Sequence, residues 1–146
     1  MIIFTVLSIL LYLASKDSFL HSNDEFSHWG LVAKEIISTN SLAQADGYTI
    51  FKNYPPATAL FQYYIARILG YSEGNLLFAQ NILILSCLYC LLANIKHAGY
   101  INNKFNYPST VIFAYLALYS LGQGFNVLLI DQIIALVTAA GRSEEH

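Results

Sequence analysis

Residues 75–95 carry no charged side chain. An uninterrupted apolar run of about 20 residues matches the hydrocarbon thickness of a bilayer when it is coiled as an α-helix. The rest of the chain has the same bias. It is 56% hydrophobic and only 11% charged, where an ordinary soluble domain carries about 25% charged residues. The composition reads as an all-α, polytopic integral membrane protein. A net charge of -2 argues against a nucleic-acid partner and leaves membrane lipid as the surrounding medium. Cys87 and Cys90 lie inside the uncharged run, where two thiols serve packing and report no oxidising compartment.

About four spans are expected, near residues 2–14, 75–95, 108–121 and 127–140. The first is short and no Lys or Arg precedes it, so the basic flank of a secretory signal is missing. It reads as an uncleaved first span that either tilts its polar end into the interface or begins inside a longer helix. Residues 15–54 are polar enough to form a loop. Within them, residues 26–37 place Phe26, Trp29, Ala33, Ile36 and Ile37 on one helical face and Lys34, Glu35 and Ser38 elsewhere. Such a helix suits the interface plane. A second interfacial helix is expected at about 56–69, opened by Pro55-Pro56 and carrying Gln62 and Arg67.

The loop at 96–107 holds Lys96, His97 and Lys104 and no acid, which points to the cytoplasmic side. The 15–54 loop and the turn at 122–126 then face outside, bringing an acidic cluster and Asp131 to one membrane face. A full span at 57–69 would invert the later elements and separate them.

That cluster is His21-Ser22-Asn23-Asp24-Glu25-Phe26-Ser27-His28-Trp29. Ser22-x-x-Glu25 is a capping-box spacing, and Asp24 is itself a suitable helix cap. Asp131 is flanked by Leu128, Leu129, Ile130, Ile133 and Ile134. An acid in such surroundings is costly at mid-membrane, by about 2.5–3.5 kcal/mol on insertion scales, and marks a functional site or a membrane boundary.

Four features in order resemble the GT-C superfamily of membrane glycosyltransferases, which includes protein mannosyltransferases and aminoarabinose transferases. They are Asp24-Glu25 before an interfacial helix, Phe51-Lys52-Asn53-Tyr54-Pro55-Pro56 before a second, the turn and span from Leu69-Gly70-Tyr71-Ser72-Glu73 onward, and Asp131 at the start of the fourth span. The resemblance covers nearly the whole chain, as an N-terminal portion of a longer enzyme in the bacterial plasma membrane. It implies transfer of a sugar from a polyprenyl-phosphate donor to an acceptor hydroxyl on the outer face. Asp24, Glu25 and Asp131 would be the catalytic acids, with Asp24 as general base. His28, Trp29, Lys52, Tyr54 and Arg67 would bind substrate. Lys, Arg or a divalent cation held by Asp24 and Glu25 would stabilise the leaving phosphate. One departure is that Tyr54, rather than a lysine, stands immediately before the Pro-Pro pair. The alternatives are a non-catalytic membrane module, in which Asp24 and Glu25 only cap a helix, and a transporter segment in which Asp131 holds an ion or proton.

Overall fold

The computed structural model describes residues 2–42, 47–49, 56–97, 106–121, 127–128 and 130–143. These form α1 (Ile2–Ser15), a π-helical turn (Glu25–Trp29) running directly into α2 (Gly30–Thr39), α3 (Ala57–Leu69), α4 (Glu73–His97), α5 (Asn106–Leu121) and α6 (Ile130–Ser143). Among the described residues the fold is all-helical.

α4 is the central element. It packs against α1, α3, α5 and α6, while α2 packs against α3. Its direction against α1 follows from two edge-on ring pairs. Phe4 meets Tyr89 at 5.2 Å and Tyr12 meets Phe78 at 5.4 Å, so the two helices run antiparallel. Where α1 ends, α4 begins. Around α4 one apolar cluster gathers Leu11, Leu85, Leu88, Val111, Tyr115 and Ile133. A second gathers Leu20, Ala33, Ile36, Ala59, Leu76 and Leu128 beneath the first loop.

Among the described residues one helix is long and apolar enough to cross a membrane, Glu73–Ala93. α1 and the 133–142 portion of α6 are apolar but shorter. α3 has 13 residues, which at the α-helical rise covers about 20 Å, short of the roughly 30 Å hydrocarbon core. The described residues thus support membrane association through α4.

Polar side chains also enter the interior. Asn81 Nδ2 donates to Ser15 Oγ at 3.3 Å, and the Tyr115 hydroxyl donates to Asn81 Oδ1 at 3.0 Å. α1, α4 and α5 are thereby joined through one buried amide. Next to it, Gln80 Nε2 donates to the Val127 carbonyl at 2.7 Å and fixes the chain just before α6. In an apolar surrounding such bonds hold helices together, because few alternative partners exist.

The expected faces of residues 26–37 require two corrections. Glu35, expected on a polar face, is buried, and Phe26, expected on the apolar face, is 53% exposed. The π turn is the cause at Phe26, because its wider turn breaks the 3.6-residue period at that point. Glu35 is buried by residues 47–49, which fold back over it. The Thr49 N–H donates to Glu35 Oε2 at 2.9 Å, and the Thr49 hydroxyl donates to the same oxygen.

Candidate active site at one end of the helix bundle

The end of α1, the end of α3, the start of α4 and the chain before α6 converge at one end of the bundle. The Leu20 N–H donates to Glu73 Oε2 at 2.8 Å, and Lys34 Nζ donates to Glu73 Oε1 at 2.7 Å. Asn75 Nδ2 donates to the Gly70 carbonyl at 2.9 Å, so α3 also finishes here. The acidic cluster sits on this platform.

Its two adjacent acids lie in opposite environments. Asp24 is exposed, with no side-chain cap bond to the π turn. Glu25 has no accessible surface. The capping box forms: the Glu25 N–H donates to Ser22 Oγ at 3.3 Å, and the Ser22 N–H donates to Glu25 Oε2 at 2.7 Å. The same oxygen accepts the His21 N–H at 2.8 Å. The other, Oε1, accepts the Leu128 N–H at 2.6 Å, from a residue 103 positions away.

Burial alone would raise the Glu25 carboxyl. The backbone N–H groups of Ser22, Leu128 and His21, with the Ser22 hydroxyl, outweigh it and hold the group below its ordinary value. Glu25 is therefore a carboxylate whose oxygens face donors of this chain. Among the described residues no group of three or more His, Cys, Asp or Glu is placed to hold a metal ion.

The bond to Leu128 brings the two acidic regions together. Asp131 follows Leu128 by three residues and its backbone lies in the first turn of α6, while its side chain lies outside the described part. Asp24 and the start of α6 are thus on the same end of the bundle.

The remaining sequence-derived candidates divide. His28 is half-buried in the π turn, with Nδ1 paired to Ser27 Oγ. Trp29 packs against the apolar cluster under the loop, its ring centroid 6.4 Å from that of His28. Arg67 is exposed in the last turn of α3, on the end where Gly70 meets Asn75. Lys52 and Tyr54 lie outside the described residues.

Two groups that composition did not single out also shape this end. Lys34 is bonded to Glu73, which raises its ammonium above the ordinary lysine value against the opposing effect of burial. The spacing from Lys34 to Glu73 is too long to suggest a pair from sequence. Gly30 closes the π turn by donating its N–H to the Glu25 carbonyl. A Cβ at this position would lie 2.6 Å from that carbonyl oxygen and 2.6 Å from a Leu20 methyl. Comparison with family models, curated proteins and solved structures finds no match to this chain.

Proposed function

We propose that the chain is the N-terminal part of a polytopic membrane glycosyltransferase of the GT-C type, with about four spans, that moves a sugar from a polyprenyl-phosphate donor to an acceptor hydroxyl. The observation that supports this reading is the Glu25–Leu128 bond. It holds the exposed acid Asp24 and the start of the helix bearing Asp131 at one end of the bundle, where two acids could address one substrate.

In this reaction the acceptor oxygen forms a bond to the anomeric carbon as the bond from that carbon to the phosphate oxygen breaks. The phosphate leaves with the electron pair. The hydroxyl proton passes to Asp24, whose exposure leaves it open to an acceptor. Asp131 orients the acceptor. Arg67 and Lys52 offer positive charge to the departing phosphate. The outer membrane face is the side assigned to this end, because the basic loop at 96–107 marks the other as cytoplasmic.

The test is release of undecaprenyl phosphate from undecaprenyl-phosphate-linked glucose, mannose and galactose. It uses proteoliposomes of the protein, with and without a cell-envelope extract as acceptor source. Turnover of one donor, lost in Asp24→Asn, supports the reading. Unchanged turnover in Asp24→Asn removes Asp24 as base.

The full engagement of Glu25 by N–H donors favours a second reading, a non-catalytic membrane module whose acids hold helices in place. It predicts no donor turnover in any arm.

A further inference from the structure

We infer that Glu25 is a positioning residue of the proposed reaction, a clasp that sets the start of α6 against the helix carrying Asp24. This rests on the glycosyl-transfer reading.

Three observations carry it. Glu25 is fully buried beside an exposed Asp24, so the adjacent acids cannot share one task. Its two oxygens divide their work: Oε2 holds the local turn through His21 and Ser22, and Oε1 reaches the distant Leu128 N–H. The π turn begins at Glu25 itself and closes on Gly30, a position where any Cβ would strike both the Glu25 carbonyl and Leu20. Local bonds alone would cap the helix without any need for Leu128.

The segment that Glu25 grips is held from a second side. Gln80 takes the Val127 carbonyl while Glu25 takes the Leu128 N–H. The single Val127–Leu128 peptide group before α6 is therefore bonded from both sides, by α4 at its carbonyl and by the π turn at its N–H. Losing Glu25 leaves Gln80 as the described polar tether, and the start of α6 becomes free to turn about it. The distance between the Asp24 and Asp131 regions is then no longer fixed, although the helices remain packed through Leu85, Val111 and Ile133.

The experiment measures amide hydrogen exchange and donor turnover on the same protein in proteoliposomes. The donor is whichever undecaprenyl-phosphate-linked hexose the wild type uses. Glu25→Gln keeps the size of the side chain and is the variant expected to fold; Glu25→Ala removes every acceptor. In Glu25→Ala the Leu128 amide exchanges at least about tenfold faster, the loss of one hydrogen bond to a charged group; Glu25→Gln, with one acceptor oxygen for three N–H donors, shows a smaller acceleration. Turnover in Glu25→Gln falls at least about tenfold in kcat with donor KM held within about twofold. The acid limb of its kcat–pH profile persists. Asp24→Asn, by contrast, loses turnover altogether.

Unchanged exchange at Leu128 overturns the clasp. Loss of the acid limb in Glu25→Gln overturns positioning and makes Glu25 the base. Unchanged kcat per folded molecule, with faster exchange, reduces Glu25 to a structural cap. If the wild type turns over no donor, the glycosyl-transfer reading fails and takes Glu25's role in that reaction with it. Exchange at Leu128 then still reports whether the clasp exists.

Discussion

A Cβ placed on Gly74 would stand 2.5 Å from the Lys16 carbonyl oxygen. The start of α4 and the end of α1 touch backbone to backbone, and only glycine admits that approach. Gly74→Ala must separate the two helices, at a cost of about 1–3 kcal/mol, and should lower the midpoint of thermal unfolding in detergent. Gly141→Ala is the control. Nothing lies within 4 Å of a Cβ there, so on α6 the better helix former should be neutral or stabilising by up to about 1 kcal/mol.

Acid should weaken the same end of the bundle. The folded Glu25 carboxyl lies below its ordinary value, so its contribution is complete above the unfolded value of about 4.3. It is lost as pH falls through the lower folded value. Stability measured between neutrality and pH 3 should decline in the wild type. The decline should be shallower in Glu25→Gln, whose side chain does not titrate.

The Lys34–Glu73 pair has the opposite sign. The Lys34 ammonium is raised by Glu73, so with Glu73 ionised the contribution of Lys34 is complete below the unfolded lysine value of about 10.4 and fades as pH rises past it through the folded value. The side chains are 36% and 21% exposed. Screening then limits the coupling to about 1 kcal/mol or less. A double-mutant cycle with Lys34→Met and Glu73→Gln should measure that coupling, and it should shrink in high salt.

Asn81 should matter more than Ser15 or Tyr115, the two side chains it joins. Tyr115→Phe removes one donor and should cost about 1 kcal/mol. Asn81→Leu removes a donor and an acceptor together and should lower the unfolding midpoint by roughly twice as much. Equal shifts in the two variants would place the weight on Tyr115 instead.

Removing the Glu35 carboxylate strips a buried N–H and a hydroxyl at Thr49 of their acceptor. Glu35→Ala should cost about 2 kcal/mol or more and accelerate exchange of the Thr49 amide. Gly47 lies against the same carboxylate with no room for a Cβ, so Gly47→Ala should reproduce the effect in part.

Much of this architecture was legible in the residues. The uncharged run at 75–95 lies within α4, and Ser22 and Glu25 form the capping box their spacing suggests. Local periodicity and caps involve neighbours a turn apart, so sequence displays both partners together. Helical spacing puts Glu35 off the apolar face, because its partner, Thr49, arrives from a segment whose path no helical wheel contains. Phe26 was misread because a π turn leaves no trace in apolar spacing. Gln80 and Asn81 were visible within an apolar run, but their partners Val127, Ser15 and Tyr115 belong to other elements. The placement of Asp24 and Asp131 at one end could be argued from charge asymmetry. That Glu25 would reach Leu128 could not.

The π turn also acts as an insertion that the helix has absorbed without a break. Downstream of Gly30, Ala33 and Ile36 seat in the core. Upstream, Asp24 and Glu25 take the orientation that the chain before α6 demands. An uninterrupted α-helix would impose one rotation on both halves, since each residue advances about 100°. Straightening the turn into a continuous α-helix without removing a residue would swing Asp24 by about one such step relative to the buried half. The spare residue thus separates the helix into a fixed half and an independently aimed half.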